Sequence, residues 1–426
     1  MKKITSRECV KQALNHIQPS WLPLDLGSSA VTGMHVSMVY KLRQALGLDK
    51  GCTPVKVIEP YQMLGEIKSD IQQVLGVDIV GLIPKSTLFG FANENWKEWQ
   101  LFDGTPVLVP ECFNTEPQPD GSILQYPQGD KTVPASGRMP KNGNFFDSTV
   151  RQEPIDESKL DIEDNLQEFG YITDQTLQWF GSEAENLYKT TDKAILATFG
   201  GTAFGDIALV PAPWLKHTRG IRDVEEWYVS TCIRRDYVYR VFEKQCEIAI
   251  GNLGKLYEVI GDKILGVFLT GTDFGTQTGL FISPKAYCDL YQPFHKMIND
   301  WIHSHTTWKC FMHSCGAIME LIPYIIDAGF DILNPVQCSA KGMDPSILKN
   351  KFGRQITFWG GGVDTQNTLA FGSPGQVREE ILHRIDIFNV DGGFVFNPVH
   401  NIQANTPIEN ILAMYSALNE YRGYNN

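Results

Sequence analysis

Short runs of β-branched and aromatic residues alternate along this chain with longer stretches of helical periodicity. Most of the short runs end at Gly, Pro, Asn or Asp, which is the pattern of repeated strand–helix units. The predicted strands are Trp21–Leu26, Asp78–Leu82, Ala194–Phe199, Ile264–Leu269, Trp308–Met312, Asp331–Leu333, Ile356–Trp359 and Gly393–Phe396. The helical stretches between and after them include Pro284–Ser304, Ala317–Ala328, Gln376–Phe388 and Ile408–Tyr421. Eight alternating units predict an α/β fold, a (β/α)₈ TIM barrel that forms a single domain over residues 1–426.

The chain is longer than such a barrel requires. A (β/α)₈ barrel needs about 250 residues, and most of the surplus lies between the second and third predicted strands, at about 84–193. Extended runs separated by Gly- and Pro-rich turns predict that this insertion is rich in β-hairpins. The extended runs are Thr105–Pro110, Ser122–Tyr126 and Asn144–Arg151. The insertion leaves the C-terminal face of the barrel, so it either caps the active site or is a solvated decoration or a contact between copies.

Charge and composition narrow the classes of binding partner that we expect. The formal net charge of −12 disfavours binding to phosphate backbones and anionic lipids, so we expect no nucleic-acid and no membrane partner. No stretch approaches the roughly 20 apolar residues of a membrane span, and no apolar run follows the charged N-terminus, so we expect a cytoplasmic protein. Nine scattered cysteines do not form a disulfide framework in a chain this long. A thiol that matters here would be a metal ligand or a nucleophile.

Polar loops follow six of the eight predicted strands, where chemistry collects in barrels of this type. Asp273 lies between glycines in the loop after the fourth strand and is a candidate catalytic residue, with turn capping as the alternative. Asp364, which precedes a helical segment, has the same alternative. The candidates for substrate binding are Ser28, Ser29, Gln277, Asn334, Asp364 and Gln403.

His313 and Cys315 form a His-X-Cys pair after the fifth strand. Residues two apart in an extended segment project to the same side, and an imidazole with a thiolate suits Zn²⁺. A catalytic zinc needs a third protein ligand, for which His400 at the end of the eighth strand and Cys338 at the end of the sixth are both candidates. The alternative is a set of buried, hydrogen-bonded side chains. Cys310, His303 and His305 precede the strand end and are assigned to structure.

The motifs after the fifth to eighth strands resemble those of the uroporphyrinogen decarboxylase superfamily. The resemblance is strongest from about Gly271 to Tyr421 and extends more faintly over the chain, and the fold it implies is also a (β/α)₈ barrel. The runs that carry it are His313-Ser314-Cys315-Gly316, Asn334-Pro335-Val336-Gln337, Phe358-Trp359-Gly360-Gly361-Gly362-Val363-Asp364-Thr365-Gln366 and Pro398-Val399-His400-Asn401-Ile402-Gln403-Ala404-Asn405-Thr406-Pro407.

That superfamily includes cofactor-free decarboxylases and zinc methyltransferases that use a methylcorrinoid protein. The decarboxylases bind their acidic tetrapyrrole through an arginine motif after the first strand, but the loop 27–35 here contains no arginine, and Ile83-Pro84-Lys85 stands near the place of their catalytic aspartate. The His-X-Cys pair resembles the first two zinc ligands of the methyltransferases. Their third ligand is a cysteine, and His400 takes its place in this sequence.

The resemblance therefore implies an enzyme that moves a methyl group from a methylcorrinoid on a partner protein to a small-molecule thiol or folate-type acceptor. Zinc would be its cofactor, Asp273 would orient the acceptor or a zinc-bound histidine, and His400 would be a ligand or an acid–base group. One alternative is a decarboxylase of a porphyrinogen or another carboxylated substrate. A second is a non-catalytic protein that binds a tetrapyrrole or corrinoid.

Overall fold

The structure, a computed structural model, describes residues 4–167, 169–200 and 204–423. Its central sheet has seven parallel strands, each hydrogen-bonded to the next in chain order. These strands are Ile79–Leu82, Ala194–Thr198, Gly266–Thr270, Lys309–His313, Ile332–Asn334, Thr357–Trp359 and Phe394–Val395. They correspond to the second to eighth predicted strands, with ends that differ by at most two residues, and we call them barrel strands two to eight.

The first predicted strand closes the barrel. The Asp25 amide donates to the Phe396 carbonyl at 2.9 Å and the Phe396 amide to the Pro23 carbonyl at 2.8 Å, which joins this segment to barrel strand eight. On its other side, the Asp78 amide donates to the Leu24 carbonyl at 2.8 Å, just before barrel strand two. The segment thus bonds to both edges of the seven-stranded sheet, and the predicted (β/α)₈ fold is confirmed.

Large apolar side chains fill the interior of the barrel. Phe311 on barrel strand five contacts Phe268 on barrel strand four and Trp359 on barrel strand seven, with ring centroids 5.3 and 5.4 Å apart. The N-terminal helix, Ser6–Leu14, adds its buried Val10 and Leu14 to this interior cluster. Every second side chain of a parallel strand points inward, so the alternation that buries Phe311 also turns His313 toward the barrel axis.

A buried carboxylate anchors the top of the interior. Asp25 is fully buried and accepts hydrogen bonds from the Trp359 indole at 2.9 Å and from the Ser28 hydroxyl at 2.8 Å. Burial raises the pKa of Asp25 to about 6, against the opposing effect of these hydrogen bonds. The folded protein therefore binds a proton at Asp25 more tightly than the unfolded chain does, and ionisation of this group lowers stability as the pH rises.

The Asp25→Asn variant tests that sign. Because the asparagine side chain is always neutral, the difference in unfolding free energy between the variant and the parent protein is expected to shift in favour of the variant by up to about 3 kcal/mol between about pH 4 and pH 7. Urea unfolding of both proteins across this range measures the difference. Parallel stability curves would contradict the prediction.

Helices connect the strands and pack around the sheet. Pro293 interrupts the predicted helix Pro284–Ser304, which breaks at Tyr291, because proline lacks an amide proton and disfavours a helical residue before it. The predicted helix Ala317–Ala328 is likewise reduced to six residues with Pro323 in its first turn. The α-helices are Ser6–Leu14, Val36–Ala45, Ser69–Leu75, Asp174–Thr190, Val224–Ile233, Arg235–Ile260, Pro284–Leu290, Gln292–His305, Ile322–Asp327, Pro345–Phe352, Thr368–Phe371, Pro374–Phe388 and Ile408–Tyr421.

Two small sheets are built wholly or partly from the region between barrel strands two and three. The first has the order Leu64–Gly65, Val55–Glu59, Pro106–Val109 and Lys97–Gln100. The second is an antiparallel meander of Thr115–Pro117, Ile123–Gln125, Gly137–Met139 and Asp147–Ser148. Each of the three predicted extended runs contains one of these strands. Two of the four strands of the first sheet, Leu64–Gly65 and Val55–Glu59, come from the segment before barrel strand two. The helix Asp174–Thr190 lies within the predicted insertion but packs on barrel strands two and three.

The region 84–173 contacts loops at the C-terminal face of the barrel. The Asn144 carbonyl lies 2.8 Å from Nε2 of His35, in the segment that follows the first predicted strand. Arg151 donates to the carbonyls of Leu215 and Ala212 in the segment after barrel strand three, at 2.5 and 2.6 Å. The two small sheets, which we call the accessory sheets, therefore lie beside the end of the barrel at which the strand-end loops meet.

Among the residues that the structure describes, no helix is both long enough and apolar enough to cross a membrane.

Candidate active site at the barrel mouth

His313 ends barrel strand five and points into the mouth of the barrel. Its Nδ1 lies 2.5 Å from Oδ1 of Asn334, at the end of the neighbouring strand. The amide nitrogen of Asn334 donates to the Trp359 carbonyl at 2.7 Å, so its oxygen must be the group that faces His313. Nδ1 of His313 therefore carries the proton, and Nε2 keeps its lone pair for a ligand in the mouth.

Cys315 and His400 meet this nitrogen. The Cys315 Sγ lies 3.4 Å from Nε2 of His313, and the rings of His313 and His400 have centroids 5.5 Å apart. One ligand atom from each of the three residues lies within 4.8 Å of the other two. Burial raises the pKa of the Cys315 thiol well above its usual value, with a further contribution from Asp273, and burial lowers the pKa of His400 to about 3. Without a metal, the cluster thus holds a neutral thiol and a neutral imidazole.

Asp273 lies beside this cluster. Its Oδ1 accepts a hydrogen bond from the Cys315 amide at 2.7 Å and lies 3.9 Å from Nε2 of His313. The hydroxyl of Tyr228 donates to the Asp273 carbonyl. The Asp273 side chain remains 40% exposed, so it positions the backbone of Cys315 while presenting a carboxylate to the mouth.

A second carboxylate, Asp206, was missed by the sequence reasoning. It follows barrel strand three and accepts hydrogen bonds from the Gly271 and Ala208 amides at 2.8 and 2.9 Å. Burial raises its pKa to about 6, and the negative charge of Asp273 acts in the same direction. The signal was available, because Gly205-Asp206 is a polar strand-end loop of the same kind as those considered.

Cys338 does not join the cluster, so the structure does not support this candidate ligand. Its Sγ lies 3.4 Å from the Val336 carbonyl and packs against the core outside the barrel. Val336 has a φ of 61°, and the turn it makes directs the chain away from the axis. Cys338 instead lines a separate cavity of about 460 Å³ together with Glu380, His383 and Arg384.

Several predicted substrate-binding residues are occupied by internal contacts. The Ser28 hydroxyl donates to Asp25, and the Ser29 hydroxyl lies 3.1 Å from that of Thr32; both serines are buried. Asp364 accepts from the Gln366 and Asn367 amides at 2.7 and 3.1 Å, which is the capping role given above as its alternative. Asn334 is fully buried and orients His313.

The two predicted glutamines are more exposed. Gln277 accepts a hydrogen bond from the Gln337 side chain at 2.9 Å, and the Gln337 oxygen accepts one from the Gly316 amide. Gln403 donates to the Asn401 carbonyl at 3.2 Å. Of the predicted substrate-binding residues, Gln277 is therefore linked to the backbone that follows Cys315.

The turn after Cys315 depends on a glycine. Gly316 has a φ of +90°, and a Cβ at this position would lie 2.3 Å from the Gly275 carbonyl oxygen. Gly342 also has a positive φ, +79°, but a Cβ there would meet nothing within 4 Å.

These two glycines give a matched prediction. Gly316→Ala is expected to lower the free energy of unfolding by more than Gly342→Ala, for which only the backbone cost of about 1–2 kcal/mol applies. Thermal or urea unfolding measures both variants. Equal losses would show that the contact with Gly275 relaxes freely.

The fold and this cluster define a (β/α)₈-barrel protein with a histidine–cysteine site at its C-terminal face. The uroporphyrinogen decarboxylase (URO-D) family profile matches residues 231–421, which include all three clustered residues. This match confirms the resemblance that the motifs carry. No curated protein sequence matches the chain.

A solved structure extends the likeness over the whole chain. A methyltransferase from Methanosarcina mazei is similar over 98% of this chain and 99% of that protein, with a TM-score of 0.54 and 14% sequence identity. At this level of identity, the likeness shows a shared fold.

Proposed function

We propose that the protein is a methyltransferase. It would move a methyl group from a methylated corrinoid, carried by a separate protein, to a thiol or folate-type acceptor activated by Zn²⁺ at the barrel mouth. The observation that supports this proposal is the cluster of His313, Cys315 and His400, whose ligand atoms lie within 4.8 Å of one another. The resemblance to the family's zinc methyltransferases and the fold shared with the methyltransferase from Methanosarcina mazei support the same proposal.

The donor set suits zinc. With Zn–N near 2.0–2.1 Å and Zn–S near 2.3 Å, tetrahedral ligands would place nitrogen and sulfur about 3.6 Å apart. The 3.4 Å between Nε2 of His313 and Sγ of Cys315 agrees with this separation. His313 also has the partner typical of a zinc-bound histidine, because Asn334 holds its other nitrogen. Three protein ligands leave a fourth position for the acceptor. When bound, zinc would lower the pKa of an acceptor thiol and present it as a thiolate.

The nearby carboxylates adjust the charge of the site. A set of two histidines and one cysteine supplies a single negative charge, one fewer than a set with two cysteines. Asp273 and Asp206 add carboxylates beside the cluster without belonging to it. In this proposal they offset the positive charge, and Asp273, the more exposed side chain next to Cys315, orients the acceptor.

The methyl donor would approach from the open side of the mouth. Phe281 is 51% exposed and stacks on Tyr228, whose hydroxyl contacts Asp273. The accessory sheets contact loops at the same end of the barrel. An aromatic surface beside the site and a broad rim around it suit a donor that arrives on another protein.

The test uses free methylcobalamin as the donor and a panel of small thiols and a reduced folate as acceptors. As the new carbon–sulfur or carbon–nitrogen bond forms, the cobalt–carbon bond breaks with both electrons left on cobalt, and the proton of the acceptor is released. Loss of the methylcobalamin spectrum under anaerobic conditions, with equal formation of methylated acceptor, is the expected result for zinc-loaded protein.

Two outcomes would contradict this function. Zinc-loaded, folded protein that leaves methylcobalamin unchanged with every acceptor would contradict methyl transfer in this form. Loss of carboxyl groups from uroporphyrinogen, with no methyl transfer, would favour the decarboxylase. A Cys315→Ala control separates catalysis at the cluster from background reaction of the thiol with methylcobalamin.

A further inference from the structure

A second group of potential ligands lies at the opposite end of the barrel. His303 is in the last turn of the helix Gln292–His305, Cys310 is near the start of barrel strand five, and Asp331 immediately precedes barrel strand six. One ligand atom from each lies within 4.8 Å of the other two. Cys315 follows the other end of barrel strand five, so this group is separate from the candidate active site.

We infer that His303, Cys310 and Asp331 form a second metal site, which binds Zn²⁺ or a similar thiophilic divalent cation and holds a helix to two barrel strands. The inference rests on these residues alone and does not depend on methyl transfer.

The separation of the histidine nitrogen and the cysteine sulfur suits a tetrahedral cation. Nε2 of His303 lies 3.7 Å from Sγ of Cys310, close to the roughly 3.6 Å expected between nitrogen and sulfur ligands of zinc. The same nitrogen lies 2.8 Å from Oδ2 of Asp331, which is a hydrogen-bond distance and would lengthen to about 3.4 Å if both atoms bound one tetrahedral ion. A single ring nitrogen therefore faces both a thiol and a carboxylate. A proton on this nitrogen can be donated to the Asp331 carboxylate alone. A metal ion in the position of that proton would instead bind the imidazole, the thiol and the carboxylate together.

The carboxylate is held in place for this role. Oδ1 of Asp331 accepts from Lys309 Nζ at 3.0 Å, and Oδ2 accepts from the Cys310 amide at 2.8 Å. Lys309 thus engages Oδ1, whereas Oδ2 accepts from the Cys310 amide and also faces His303. Such outer contacts orient a ligating carboxylate.

Burial gives the site a closed side and an open side. Cys310 is fully buried in the core outside the barrel, whereas the His303 side chain is 38% exposed. Water can reach the His303 side and supply a fourth ligand. The bound charges would be one thiolate and one carboxylate, with Lys309 at the edge, so the site balances most of the charge of a divalent cation.

Metal counting on single variants tests the inference. Protein equilibrated with micromolar Zn²⁺ and then gel-filtered is expected to hold two zinc ions per chain, one of which is lost in Cys310→Ser and in His303→Gln. His303→Gln changes a partly exposed side chain and so guards against misfolding of the buried variant. Cys246→Ser is the matched control, because Cys246 is also buried and its thiol lies near the Phe294 carbonyl and the Met297 sulfur rather than in a group of potential ligands.

The outcomes for the two clusters are separable. Zinc lost in Cys315→Ala but fully retained in Cys310→Ser and His303→Gln would overturn the second site and leave the proposed function intact. Zinc lost only in the latter two would support the second site and contradict the zinc mechanism. Added zinc should also raise the thermal midpoint of Cys315→Ala by several degrees and not that of the Cys310→Ser, Cys315→Ala double variant. Equal midpoints with and without zinc in Cys315→Ala would overturn the inference.

Discussion

Replacing Cys315 with alanine is expected to remove the zinc ion at the barrel mouth and to reduce methyl transfer more than about 100-fold. Loss of a partner that only orients a ligand costs about 10–100-fold in metal affinity or activity, and Cys315 is the one thiol in the cluster. Because its amide, which contacts Asp273, is retained in alanine, the turn should persist. Metal analysis and the methylcobalamin assay measure the two effects.

Cys338→Ala is the matched control for this variant. The Cys338 thiol is also partly buried and also follows a barrel strand, but it lies outside the cluster. We expect zinc at the mouth and methyl transfer to be retained in Cys338→Ala. Loss of the metal in Cys338→Ala, with retention in Cys315→Ala, would contradict the assignment of Cys315 as a ligand.

Changes at His400 should separate ligation from bulk. His400→Ala is expected to lose zinc at the mouth, because only His313 and Cys315 remain as ligands, and to lose transfer by a similar factor of more than about 100. His400→Cys is expected to keep the metal, since a thiolate at this position restores a ligand and adds negative charge. Competition with a chromophoric chelator gives the relative affinities.

The stability of the His400 variants is the necessary control. His400 is an uncharged imidazole in the folded protein because burial lowers its pKa to about 3, so neither replacement removes a buried charge. Both variants should therefore unfold near the parent midpoint when metal-free. An alanine variant that binds zinc as tightly as the parent would show that His400 is not a ligand.

Much of the fold follows from the sequence because parallel barrel strands are buried on both faces. Runs such as Ile264–Leu269 and Ile356–Trp359 are almost continuously apolar or β-branched and end at polar residues or glycine, which marks both the strand and its C-terminal end. The errors in helix length at Pro293 and Pro323 are local, because each proline restarts a helix that the apolar periodicity alone extends. The pairing of Val55–Glu59 with Pro106–Val109 joins distant segments, which periodicity cannot show.

The candidate site also has features that the sequence predicts and features that it does not. The contact between His313 and Cys315 follows from a spacing of two residues at a strand end, so it is visible in the sequence. The approach of His400 depends on barrel closure, which the strand count implies. The position of Cys338 depends on the backbone of Val336, whose positive φ cannot be predicted from the sequence. The second cluster at His303 was assigned to structure because strand-end reasoning considers only the C-terminal face.

The most direct test of the central claim is zinc-edge X-ray absorption of the His303→Gln protein, in which only the mouth cluster should hold metal. We expect one sulfur near 2.3 Å and two imidazole nitrogens near 2.0–2.1 Å from the zinc. On addition of the thiol that accepts methyl in the transfer assay, the number of zinc-bound sulfurs should rise from one to two. A zinc ion without sulfur, or a sulfur count that stays at one when the acceptor is saturating, would contradict this claim.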